Sequence, residues 1–137
     1  MLDKNRIKDK INIIENNLRY LKKFLNYSTE EFVNDYKNPA AAKYLLQTSI
    51  EAMIDIANHI IASKRLKKPE TSAQSFKILN NNDYISDEKL SNYIKMIKFR
   101  NRLVHLYNEI DDEQIYHIIK NNLSDLEYFI KEIIKIL

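Results

Sequence analysis

The chain has 137 residues, 45% of them hydrophobic and 30% charged, with a formal net charge of +3, the size and balance of a single domain with its own core. It contains no Cys, no Gly and two Pro. That composition excludes disulfides, thiolate metal sites and glycine-rich phosphate loops, disfavours hairpin turns, and makes an all-α fold the inference. The mild basic excess suits a nucleic-acid partner without requiring one.

In chain order, a first helix is predicted over about residues 2 to 27. Ile7, Ile11, Ile14, Leu18, Leu21 and Leu25 form a heptad-like seam, able to pack in a bundle or against a copy of itself. Ser28 with Glu31 is a capping-box pattern, so a short helix should start at Thr29 and fade before Asn38-Pro39. A third helix, about residues 40 to 64, carries the stripe Leu46, Ile50, Met53, Ala57 and Ile60. Its Ala-rich faces allow close approach and make it the expected central element. The basic run Lys64, Arg65, Lys67 and Lys68 reads as a solvated face.

Residues 67 to 82 read as a loop with one short helix around Phe76, Ile78 and Leu79. It is closed by Asn80-Asn81-Asn82-Asp83, where Asn can take the left-handed conformation usual for Gly. Ser86 or Asp87 should cap the next helix, which ends near residue 107. Asp111 with Gln114 should open the last helix, buried along Ile115, Ile119, Leu126, Ile130, Ile133 and Leu137. The whole is one domain, residues 1–137, of four principal helices with one or two short ones. No apolar run approaches the roughly 18 residues of a membrane span and no signal-peptide core is visible, so a soluble cytoplasmic protein is expected.

The chemistry concentrates between Lys95 and Tyr107, where Lys95, Lys98, Arg100 and Arg102 occur without an acid among them and Asn101, His105 and Tyr107 stand close by. A helix here has Leu90, Ile94, Ile97 and Val104 as an apolar stripe, and Asn101 falls on it. A core-facing amide costs on the order of 1 to 3 kcal/mol unless it is bonded, so a local network or a functional seam is expected, and His105, the i,i+4 neighbour, shares the face of Asn101. An imidazole can take a proton from a hydroxyl nucleophile, and Arg100 and Arg102 can hold a phosphodiester and its pentacoordinate transition state. The bland alternatives are a half-buried His satisfied by Asn101, arginines solvated at the surface or bridged to Glu109 or Asp112, and a helix-end Tyr107 with a buried ring and a wet oxygen. Tyr107 could orient the imidazole, stack a base or accept a modifying group. Arg100 and His105 lie about 140° apart on a regular helix. Either the helix loosens near His105 or convergence comes from a second subunit. His59 reads as structural and His117 as surface; no metal site is supported by the pattern.

The run Phe99-Arg100-Asn101-Arg102-Leu103-Val104-His105-Leu106-Tyr107 contains Arg, four residues, His, one residue, Tyr without a gap. In this it resembles the HEPN superfamily of helical nucleases, and within it the HepT branch. Softer matches are Asp55 to Ile61, then Pro69, Phe76 and Leu79, and the stretch Asn108 to Asp111. The resemblance implies an HEPN-like bundle acting as a metal-independent endoribonuclease toxin and homodimer, with no cofactor. Arg100, His105 and an assisting Asn101 would be catalytic, and Lys98 and Arg102 would bind RNA phosphates. It also implies an MntA-like nucleotidyltransferase antitoxin that transfers AMP to Tyr107, in a complex that could be a larger hetero-oligomer. The alternatives are a non-catalytic HEPN module binding nucleotide or partner, and a helical dimer with a structural Arg-Asn-His network.

Overall fold

The computed structural model describes residues 2–137. Six α-helices follow one another: α1 (Lys4–Lys23), α2 (Thr29–Asn34), α3 (Lys37–Ser63), α4 (Ser72–Asn81), α5 (Asp87–His105) and α6 (Asp112–Ile134), with 3₁₀ turns at Phe24–Asn26 and Tyr107–Glu109. The all-α expectation holds, with α1, α3, α5 and α6 long and α2 and α4 short.

Helix α1 begins where the Asp3 carboxylate accepts the Arg6 N–H, and buries Ile7, Ile11, Ile14, Leu18 and Leu21. Its most extensive packing is with α3. The seam is thus consumed inside the chain, which removes the possibility that it pairs with a copy of itself. The predicted C-terminal extension is also too long: after Lys23 the chain tightens into a 3₁₀ turn, and Leu25 is exposed. The capping box at the start of α2 is present, with Ser28 Oγ accepting from the Glu31 N–H and Glu31 accepting from the Ser28 N–H. Its single buried side chain, Phe32, packs edge-on against Phe24 and tilted against Tyr116.

Helix α3 starts three residues earlier than predicted, because Pro39 falls within the first turn, where a missing N–H costs nothing. It touches α1, α2, α4, α5 and α6 and is the central element, as its alanines suggested. Helix α4 is ten residues long, more than the single apolar turn expected. Both of its approaches turn on a non-glycine residue with positive φ, Arg65 at 54° and Asp83 at 63°. The left-handed position before α5 is therefore taken by Asp83 rather than an Asn. Phe76, Tyr93 and Phe129 from α4, α5 and α6 meet with ring centroids 5.5–6.0 Å apart, binding those helices over α3.

Ser86 is the N-cap residue of α5, but its side chain makes no cap bond. Its backbone N–H is held instead by Glu132 Oε2 at 2.8 Å. Asp111 caps α6 by accepting from the Glu113 N–H; the expected partner Gln114 takes no part in that bond. The predicted buried line of α6 is confirmed except at Leu137, which is half-buried. Among the described residues no helix is long and apolar enough to cross a membrane.

Candidate active site at the end of the fifth helix

The buried face of α5 runs through Tyr93, Ile97 and Leu103, so the stripe is rotated from the one expected. Val104 is 43% exposed and Asn101 is exposed too. Arg100, three residues after Ile97, is the polar residue set toward the interior. Its side chain is 27% exposed, and Nη2 reaches across to Glu51 Oε2 on α3 at 3.0 Å. Nη1 donates to Asn101 Oδ1 at 3.1 Å, while Nε is sealed from solvent without an acceptor. A buried donor left unbonded costs about 1–3 kcal/mol.

Among the described residues the alternative bridges from Arg100 or Arg102 to Glu109 or Asp112 do not form. Asp112 is instead paired with Lys43 of α3, Nζ to Oδ1 at 3.3 Å, and Lys43 is almost fully buried. The same ammonium sits 4.4 Å from the centroid of the Tyr107 ring, a cation–π contact that fixes the ring while the residue as a whole stays 42% exposed. His105 is the last residue of α5 and is exposed. Among the described residues its side chain and the Tyr107 hydroxyl make no hydrogen bond, and Asn101 Oδ1 accepts from Arg100 rather than satisfying His105.

Helical geometry persists through His105, and the Leu106 N–H still bonds the Arg102 carbonyl at 2.7 Å. The helix does not loosen, and within one chain Arg100 and His105 are not brought together. Arg102 lies on the other side of α5 from Arg100, about 200° away. It lines a groove of about 350 Å³ between α5 and α6, floored in part by Leu46 and Ile50 of α3 and also lined by Lys98. Sequence reasoning missed Glu51 and Lys43. Their signal was faint: single charges inside the most apolar helix of the chain.

The other histidines behave as expected. His59 Nε2 accepts the Asp3 N–H at 3.1 Å, tying the start of α1 to α3, and His117 stands outside on α6 beside Asn121. No group of three or more His, Asp or Glu side chains placed to hold a metal occurs among the described residues.

Comparison with known proteins gives the family and the fold. A solved structure of the tri-AMPylated Shewanella oneidensis HEPN toxin in complex with MNT antitoxin superposes with a TM-score of 0.86 at 32% identity, over 97% of this chain and 98% of that one. The mRNA nuclease HepT of Shewanella oneidensis is 36% identical over 100 residues, 73% of this chain and 75% of the relative. The tRNA nuclease HepT of Aphanizomenon flos-aquae is 28% identical over 127 residues, 93% of this chain and 86% of the relative. By fold and by relatives the protein is a HEPN-type ribonuclease. More narrowly, residues 14–133 match the family described as Ribonuclease HepT-like, and the chain belongs to that family.

Proposed function

We infer that this protein is the toxin half of a toxin–antitoxin pair and cleaves RNA without a metal ion. The reading is carried by one observation: the side chains of His105 and Tyr107 stand exposed and unbonded at the end of α5, in a chain superposable along nearly its whole length on an AMP-bearing HEPN toxin.

A regular α5 leaves Arg100 and His105 about 140° apart, so the working site is a cleft between two copies, Arg100 of one facing His105 of the other. His105 takes the proton of the ribose 2′-hydroxyl as that oxygen attacks phosphorus. Arg100 stabilises the added charge of the pentacoordinate phosphate. Asn101, already bonded to Arg100, steadies the guanidinium, and Lys98 and Arg102 hold neighbouring phosphates. The 5′-oxygen leaves as a hydroxyl on taking a proton from an imidazolium, and the other fragment ends in a 2′,3′-cyclic phosphate.

The partner is an MntA-like nucleotidyltransferase that transfers AMP from ATP to Tyr107, the phenol oxygen losing its proton and bonding the α-phosphorus as the α–β anhydride bond breaks and pyrophosphate leaves. A phosphodiester fixed there competes for the guanidinium and obstructs the RNA path, an electrostatic and steric block. The test is cleavage of RNA by purified protein in the presence of a chelator, with end-group analysis. Cyclic phosphate ends and a loss of roughly 10²–10⁴-fold in His105→Ala are expected. Equal activity in the variant removes the assignment of His105, and loss of wild-type activity on chelation removes metal independence.

A further inference from the structure

The groove between α5 and α6 has a composition that catalysis at the helix end does not account for. Lys95, Lys98 and Arg102 line it at a 3,4 spacing that continues to His105, so the four residues form one row along α5. None of the three cations is in an ion pair among the described residues, whereas Lys10, Lys22, Lys43, Lys89 and Arg100 all are. Much of the remaining lining is apolar, with Met96 and Phe99 half-buried beside Leu123 and Leu126, interrupted by Asn92, Gln114 and Asn122.

One charge in the floor is not cationic. Asp125 lines the groove and is only 6% exposed. Both of its hydrogen bonds, from Lys89 Nζ at 3.3 Å and Asn92 Nδ2 at 3.2 Å, fall on Oδ1. Among the described residues Oδ2 accepts none, so this groove-lining carboxylate has acceptor capacity to spare. A carboxylate oxygen with spare capacity in the wall of a groove can accept one N–H donor from a ligand.

The geometry points to a pocket for a single nucleotide of the RNA strand, with the base flat on Met96 and Phe99, its exocyclic amine on Asp125 Oδ2, and its phosphate on Lys98 and Arg102. The volume lies in the roughly 300–1,000 Å³ range of ligand pockets, and three unpaired cations above an apolar floor complement an anion with a flat apolar body. An α-helix of a protein partner needs a longer apolar trough and fewer cations. Adenine, cytosine and guanine carry an exocyclic amine and uracil, whose one base donor is the ring N3–H, does not, so the pocket is a base selector against uracil. The row of cations delivers the next phosphate toward His105. This deepens the ribonuclease reading and rests on it.

The test uses the methionine methyl groups. Met96 lines the groove and Met53 is fully buried in the core, so in protein labelled with ¹³C-methyl methionine the first reports occupancy and the second reports the fold. Titration with AMP, CMP and UMP should move the Met96 signal saturably, with UMP about tenfold weaker, the worth of one hydrogen bond to a charged acceptor. Lys98→Gln with Arg102→Gln should weaken all three nucleotides and leave adenosine unchanged. Asp125→Asn keeps the acceptor for Lys89 and Asn92 and turns an amide donor into the groove, so preference should move toward UMP. A still Met96 signal, or equal affinity for the three nucleotides, overturns the pocket. So does a Met96 shift on adding the nucleotidyltransferase but with no nucleotide. RNA cleavage that depends on His105 with no nucleotide at Met96 overturns the pocket alone. Nucleotide selectivity at Met96 in a protein that cleaves no RNA supports the pocket and removes the ribonuclease reading.

Discussion

Arg100 of α5 is held by Glu51 of α3 through a 3.0 Å ion pair while its Nε hydrogen has no acceptor. The carboxylate both aims the guanidinium and competes with any phosphate that approaches it. Glu51→Gln keeps an acceptor and removes the charge, so RNA binding should tighten severalfold in fluorescence anisotropy at low salt. Both side chains are about one-third exposed, so the melting free energy should change by less than about 1 kcal/mol. Weaker RNA binding in Glu51→Gln would show that Glu51 serves alignment alone.

The Tyr107 ring is anchored from one side by Lys43, itself paired with Asp112. Tyr107→Phe therefore keeps the ring and deletes the acceptor oxygen. RNA cleavage should stay within about threefold of wild type, as expected for an exposed hydroxyl with no internal partner. Intact-mass analysis after incubation with the nucleotidyltransferase and ATP should show AMP on the wild type and none on the variant. An adduct on Tyr107→Phe at the wild-type level would move the acceptor elsewhere.

The helices were legible in the sequence because capping and periodicity are local: Ser28 with Glu31, and the 4,3 spacing from Ile7 to Leu21, describe what the fold contains. The site was legible only as a list of residues. Choosing Ile94 and Val104 rather than Tyr93 and Leu103 beside the shared Ile97 turned the expected buried face of α5 by part of a turn and put Asn101 on it, whereas the structure leaves Asn101 exposed and sets Arg100 toward the interior. Tyr93 was easy to pass over because its hydroxyl argues for solvent, and only Glu132, 39 residues later, lets it be buried. Glu51 and Lys43 were invisible for the same reason, since their partners are set by tertiary packing.

Tyr93 also sets a pH limit. Burial first, and then the hydrogen bond and charge of Glu132, push its phenol well above the usual tyrosine range. The folded protein keeps this proton after the unfolded chain has lost it at about pH 10. The stability it contributes is thus complete below about pH 10 and is lost as pH rises beyond it. Urea unfolding at pH 8 and pH 11 should show a steeper decline in wild type than in Tyr93→Phe. The variant should lose about 1 kcal/mol at pH 8 through the missing bond to Glu132.

Ser28 and Ser86 occupy the same N-cap position in two helices but do different things. Ser28 completes a capping box, whereas Ser86 makes no cap bond and its Oγ is buried without a partner. Ser28→Ala should cost about 1 kcal/mol. Ser86→Ala removes an unsatisfied hydroxyl and should be neutral within about 0.5 kcal/mol. Equal losses in chemical denaturation would mean that Ser86 caps α5 in solution.

The regularity of α5 through His105 leads to the sharpest expectation about assembly. If each working site takes Arg100 from one copy and His105 from the other, Arg100→Ala and His105→Ala are each inactive as homodimers. When the two variants are unfolded together and refolded, half of the dimers are mixed, and each mixed dimer holds one cleft with both groups intact. Activity should return to roughly a quarter of wild type for a two-fold dimer, while either variant refolded alone stays silent. A site built within a single chain gives no recovery, because no chain in the mixture has both side chains. Recovery also requires exchange, so mixing the two folded variants without unfolding should restore activity only as fast as the subunits trade partners.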